Sequence, residues 1–334
     1  SSSSSSFSSS RRGFSPPSVY LNKNKNNNNI NNNNNNTSSS SGRRRSSSSS
    51  SKLKVCAAMS SIDDPNFADL SDRLKLDNVR QSLIRQEDSI IFALIERSQY
   101  KVNDKIYKTN SIDVPCYDAK TGVRSSMIEF MLREREQMDG KIRRYTSPDE
   151  HAFYPESLPM LVIGSMEYPC PLHAAAESIN INDRIMKMYI ENLLPALCEA
   201  GDDNNYGSTG LADVANLQTI SKRIHYGKFV AESKFQARPE EFSELIKKQD
   251  AEGLMALLTF QAVEDRVVRR VTNKAATYGQ DISEDLPEQL VLTLSEGENL
   301  EYKVAPETIG ELYREWIMPM TKDVQVEYLL RRLD

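Results

Sequence analysis

Between Asn78 and Ser98 the apolar residues Val79, Leu83, Ile84, Ile90, Ile91, Leu94 and Ile95 return at helical spacing, with charges between them. Such a stripe packs one face of a helix against a core and cannot alternate as a strand does. Asp77 or Asn78 suits the cap at its start. The pattern recurs from Ser126 to Arg144 and near Asn182, where Pro195 should kink or end the helix. It recurs again over Leu211–Gln236, Asp250–Gly279, after Pro306, and over Thr321–Arg332. Residues 99–124 read as a loop, 145–172 as a long connection with five prolines, and 201–210 as a turn-rich loop. Only 290–304 alternates, around a glycine, as a small hairpin would. The expected fold is all-α, a bundle of long helices.

The first 57 residues are of another kind. No Asp or Glu occurs before Asp63, while nine Lys and Arg do, among Ser and twelve Asn between Asn22 and Asn36. This stretch holds too little apolar surface to offset chain entropy, so it is expected to be disordered. A Ser-rich, Arg-bearing, acid-free segment fits an organelle transit peptide, and a disordered tail is the alternative. Val55-Cys56-Ala57-Ala58 resembles a plastid processing site. The expected division is a transit peptide over 1–57, a flexible segment over 58–73, and one helical domain over 74–334.

Of the 42 basic residues, nine lie in that leader, which leaves 33 against 47 acids and a net charge of −14 over residues 58–334. Such a surface repels phosphate backbones, so a nucleic-acid partner is not expected. No apolar run approaches the ~18 residues a membrane helix needs. The cysteines Cys56, Cys116, Cys170 and Cys198 lack metal-ligand spacing, and a disulfide between two of the last three stays open. No Gly-rich phosphate loop, nucleophile elbow or metal motif occurs, so neither cofactor nor metal is expected. His151, His173 and His225 are far apart in sequence, and His225 reads as a packed histidine rather than a base.

The chemistry-bearing signal is charge at helical spacing. Arg223 and Lys234 are 11 apart, Arg80 and Glu87 seven, Thr321 and Gln325 four; each pair shares a helix face. Glu264 follows Ala262 and Val263 on a Val-rich helix. Charged helix faces are most often solvated, so spacing alone supports a bundle with inward-pointing charges and nothing sharper.

Four runs go further: LDNVRQSLIRQEDSIIFALIERSQY (76–100), SKRIHYGKFVAESKFQ (221–236), AVEDRVVRRVTNKAATYGQ (262–280) and MTKDVQVEYLLRRLD (320–334). They are similar, in order, to the plant and fungal all-helical chorismate mutases, over about residues 74–334. The resemblance implies a homodimeric helical isomerase that converts chorismate to prephenate by a Claisen rearrangement in phenylalanine and tyrosine biosynthesis, in the plastid stroma. The reaction forms no bond to protein. It needs cations that hold two carboxylates in reactive geometry and donors aimed at the breaking ether oxygen. By the resemblance Arg80 and Arg223 are the carboxylate clamps and Lys234 the cationic donor. Glu264 accepts the ring hydroxyl, Thr321 is a supporting contact, and Gln325 is the second ether-oxygen donor.

Gln325 stands where some fungal members carry Glu. A glutamate donates there only when protonated, whereas an amide donates at any ordinary pH. The expectation is activity that stays flat from neutral to mildly alkaline pH. Phe260 stands where some fungal forms have Asn and cannot make its hydrogen bond. The resemblance also implies an effector site for Trp, Tyr and Phe, with Arg143 and Arg144 from one subunit and Asn204, Asn205, Gly207 and Ser208 from the other. An Arg pair can take a carboxylate, and a helix beginning near Ser208 offers free N–H groups. A non-catalytic homologue that keeps the fold is the competing reading; the survival of Arg80, Arg223, Lys234 and Glu264 opposes it.

Overall fold

The computed structural model describes residues 74–115, 124–164, 171–280 and 302–334, and among them it is helical with no strand. The proposed leader, the 58–73 segment and nearly all of the 290–304 hairpin lie outside the described residues. Helix α1 spans Leu76–Arg97 and α2 spans Met127–Lys141. The start of α2 is a capping box: the Glu129 amide donates to Ser126 Oγ at 3.4 Å and the Ser126 amide to Glu129 Oε2 at 2.7 Å. Helices α3 (Asn182–Met188) and α4 (Leu194–Leu197) are joined by a π-turn over Tyr189–Leu193. Pro195 therefore loosens the helix into a wider turn instead of ending it. It has no N–H for the preceding carbonyls, and the π-turn absorbs the mismatch. The same device recurs where α10 (Pro306–Leu312) runs through a π-turn at Tyr313–Ile317 into α11 (Met318–Leu330), with Pro319 in the same relation.

Two helices expected to be continuous are broken. The Leu211–Gln236 pattern divides into α5 (Tyr206–His225) and α6 (Gly227–Ala237). At the break His225 Nδ1 lies 2.8 Å from the Ser221 carbonyl one turn back, and its Nε2 accepts the Ile181 amide at 3.0 Å. Helix α7 (Pro239–Lys247) follows, opened by a proline at its first position. The Asp250–Gly279 pattern divides into α8 (Ala251–Leu258) and α9 (Gln261–Tyr278). Here the Thr259 hydroxyl donates to the Met255 carbonyl at 2.8 Å, sharing that carbonyl with the Thr259 amide at 3.1 Å. Thr259 and Phe260 then turn extended, and the Leu258 carbonyl is left for another donor.

The core gathers where α1 lies on α5 and where α6, α8 and α10–α11 close around them. Its members include Ile90, Ile91, Leu94, Leu217, Ile220, Ile224, Val271, Ile309, Val324 and Leu329. Polar bonds set the register. Arg97 at the end of α1 is fully buried and donates to Asp213 of α5 at 2.6 Å. Asp213 also accepts the hydroxyls of Tyr107 (2.6 Å) and Tyr189 (2.7 Å). The connection before α3 is fastened by Lys228 of α6. Its ammonium donates to the carbonyls of Ala176 and Ile179, each at 2.8 Å, and lies 2.6 Å from His151 Nε2. His151 stacks on His225 with ring centroids 4.2 Å apart, and burial holds both imidazoles in their neutral form. His225 is thus a packed histidine. No described helix is long and apolar enough to cross a membrane.

Candidate active site

The six residues singled out for chemistry lie on α1, α5, α6, α9 and α11 and form two adjoining clusters. In the first, Arg223 of α5 is 5% exposed and its Nη1 donates to Thr321 Oγ1 of α11 at 3.4 Å. Among the described residues its Nε has no hydrogen-bond partner and the guanidinium makes no ion pair, although Glu87 acts on it at longer range. Burial makes its charge costly and draws its pKa down. One turn along α11, Gln325 is equally buried; its Nε2 donates to the Thr321 carbonyl at 3.3 Å, and its Oε1 is unpartnered among the described residues.

Gly227 explains how these helices come so close. A Cβ there would lie 2.7 Å from the Thr321 carbonyl oxygen, 3.1 Å from Thr321 Cγ2 and 3.4 Å from Gln325 Cγ. The absent side chain brings the first turn of α6 against α11, beside the Arg223 contact.

The second cluster centres on Lys234 near the end of α6. Its ammonium donates to the Leu258 carbonyl, freed at the end of α8, at 2.9 Å and lies 5.3 Å from the Phe260 ring centroid. Phe260 thus offers its ring face to a cation where an asparagine would offer a hydrogen bond. Burial first, then Arg238 and Arg80, lower the lysine's pKa to about 8; Glu264 opposes this and Lys322 adds to it. Glu264, in the first turn of α9, accepts from Lys322 Nζ of α11 at 3.0 Å. Lys322 follows Thr321 directly and so links the clusters. Arg80 stands at the rim, half-exposed, and donates to Asp77 of its own helix at 3.1 Å.

Two neighbours of Lys234, Lys322 and Arg238, were not singled out from the sequence. Arg238 caps the end of α6 four residues after Lys234, and Lys322 follows Thr321 on α11, so helical spacing could have pointed to both. Glu87 shares a face with Arg80 in sequence, yet it is fully buried and takes Arg270 of α9 through both oxygens, at 2.8 and 2.6 Å, and Lys274 at 3.2 Å. It joins α1 to α9 rather than meeting a ligand directly.

The residues assigned to an effector site fall into two separate places within one chain. Arg144 donates to Asp139 (2.6 Å), Glu150 (3.1 Å) and Gln218 of α5 (3.0 Å). Arg143 sits beside it at φ 73°. Asn204, Asn205, Gly207 and Ser208 are exposed at the other end, around the first turn of α5, where Asn205 precedes the helix and Asn204 has φ 63°. Ten residues of α5 separate Ser208 from Gln218, about 15 Å of helix.

The helices bring Arg80, Lys234, Arg238 and Lys322 around the Glu264 carboxylate and bury Arg223 against Thr321. Among the described residues no group of His, Cys, Asp or Glu has metal-holding geometry. The sequence profile of the type II chorismate mutases matches residues 207–326. The chain is 48% identical over 282 residues to chorismate mutase 1, chloroplastic, of Petunia hybrida, covering 84% of this chain and 83% of that one. It is 43% identical to chorismate mutase 2, cytosolic, of Zea mays, covering 79% and 98%. Among solved structures it matches AtCM1 with tyrosine in its allosteric site at 48% identity and TM-score 0.68, covering 80% and 99%. It also matches the Candida albicans chorismate mutase in complex with L-Trp at 37% identity and TM-score 0.70, covering 79% and 93%. The chain belongs to the chorismate mutase family, whose reaction is an isomerisation.

Proposed function

We propose that the chain isomerises chorismate to prephenate in the plastid, as a homodimer regulated by aromatic amino acids, with Arg80, Arg223, Lys234, Glu264, Thr321 and Gln325 as its working residues. The observation that carries the assignment is Arg223, a buried guanidinium that among the described residues bonds a hydroxyl and makes no ion pair. A dicarboxylate supplies the missing charge, and the planar fork takes one carboxylate through two bonds. Arg80 at the rim takes the other once it leaves Asp77.

With both carboxylates held, the enolpyruvyl arm lies over the ring. Negative charge grows on the ether oxygen as its bond to the ring breaks and the new carbon–carbon bond forms. Lys234 and the second N–H of Gln325 meet that charge, and Glu264 accepts the ring hydroxyl. Two preorganised donors in a water-poor site account for several orders of magnitude in rate.

The homodimer reading is supported by an exposed apolar patch in which Met138, Ile142, Met160 and Val162 are 53–91% exposed. Val162 is tied to the end of α2 by its amide, which donates to the Lys141 carbonyl at 3.0 Å. Chloroplastic naming among the relatives and the acid-free leader support the plastid location.

The assignment is tested by calorimetric titration with a rigid bicyclic dicarboxylate shaped like the rearranging substrate. Binding should weaken by about 10²-fold or more in Arg223→Ala; equal affinity in both proteins would remove Arg223 from the site. Titrating turnover with Trp, Tyr and Phe tests the effector reading, which fails if none changes the rate.

A further inference from the structure

We propose that Lys322 is a positioning residue of this site: its ammonium holds the Glu264 carboxylate away from Lys234 and turned to accept the substrate's ring hydroxyl. The inference rests on the reading above that Glu264 takes that hydroxyl.

Among the described residues that act most on Lys234, Glu264 is the carboxylate and Arg80 from α1, Arg238 before α7 and Lys322 from α11 are the cations. A lone carboxylate beside a partly buried lysine would be expected to pair with it directly. It does not. Glu264 Oε1 accepts from Lys322 at 3.0 Å, and Lys234 instead donates to the Leu258 carbonyl at 2.9 Å. Lys322 and Glu264 are 20% and 21% exposed, so the pair is partly shielded from solvent. Binding Oε1 leaves Oε2 for another donor. Arg80 and Arg238 are drawn to other acids, Asp77 and Glu241, each at 3.1 Å. Lys322 is therefore what competes with Lys234 for Glu264.

Removing the Lys322 charge while keeping its length should let Glu264 swing onto Lys234. That pairing withdraws the ether-oxygen donor and the hydroxyl acceptor together. It also makes Lys234 harder to deprotonate, since it loses a neighbouring cation and gains a direct anionic partner. Loss of rate should thus accompany an upward move of the alkaline limb, a combination that mere loosening of the fold does not produce.

The test is a double-mutant cycle on the full chain, reading kcat/KM for chorismate against pH. Lys322→Met should lower kcat/KM about tenfold in the wild type and less than about twofold in Glu264→Gln. Its alkaline limb should rise, and Lys322→Arg should recover most of the loss. Equal losses in both backgrounds, a limb that stays in place, or failure of arginine to restore activity would overturn the proposal. If Glu264→Gln costs activity and Lys322→Met does not, Lys322 alone is refuted. If Glu264→Gln has no effect, the hydroxyl-acceptor reading falls first.

Discussion

A methyl group at position 227 has nowhere to go. In Gly227→Ala the new Cβ would sit 2.7 Å from the Thr321 carbonyl oxygen, a backbone atom in the middle of a buried helix. Relieving that contact means moving α6 and α11 apart by roughly half an ångström, because main chain cannot rotate away as a side chain can. Overpacking of this kind costs about 1–3 kcal/mol. For a domain of this size that lowers the melting temperature by about 3–10 °C. The loss in activity should be larger in proportion. Arg223 reaches Thr321 at 3.4 Å, already a long hydrogen bond, and Gln325 lies on the same displaced turn. An ångström-scale misplacement of positioned groups can cost about 10²-fold in rate. Thermal melts by circular dichroism together with absorbance assays of chorismate loss measure both quantities. Wild-type stability and turnover in Gly227→Ala would refute the argument that this glycine sets the α6–α11 approach and, with it, the first cluster's geometry.

Gln325→Glu should move activity toward acid and lower kcat/KM at pH 7.5 by about 10²-fold or more, since the group donates only when protonated; an unchanged profile removes Gln325 from the mechanism. With Lys234 lowered to about 8, kcat/KM should fall above pH 8, about tenfold per unit, which bounds the flat profile expected from the amide alone. His225 is held neutral with its pKa near 3 against an ordinary 6.5, so its contribution to stability is complete above pH 6.5 and is lost as pH falls toward 3. Glu136, pushed up to about 7 by burial, opposes part of this. Denaturant melts at pH 7 and 5 should show His225→Gln flattening the wild-type decline by about 1.4 kcal/mol per pH unit at most. Asp213→Ala strands the buried Arg97 and should cost about 3–5 kcal/mol by the same melts; a loss under 1 kcal/mol would deny the network its structural role.

Much of the helical layout was legible because periodicity reports directly on burial. The stripe from Val79 to Ile95 is α1, the pattern from Ser126 is α2 and Pro306 opens a helix, whereas α7 at Pro239–Lys247 falls between the two helices read on either side of it. The breaks at Tyr226 and at Thr259–Phe260 were not legible. They lie where His225 accepts a distant amide and where Thr259 bonds the Met255 carbonyl through both its amide and its hydroxyl. The site divides in the same way. Thr321 and Gln325 do share a face, and both belong to the Arg223 cluster. Arg223 and Lys234 proved to lie on separate helices, so their spacing of eleven was not evidence of a common direction. Glu87 turned to Arg270, and Lys322 entered from a helix 58 residues from its partner Glu264. Contacts between helices are three-dimensional facts that no one-helix pattern encodes.

The central claim is that clustered cations on α1, α5 and α6 drive the rearrangement without any covalent step. Single-turnover measurement of chorismate conversion by the purified chain and by Lys234→Ala tests it most directly. The account predicts saturable conversion to prephenate by the former and a loss of about 10²-fold or more in the chemical step for the latter. Conversion at equal rates by the two proteins, or none by the unsubstituted chain, would contradict it.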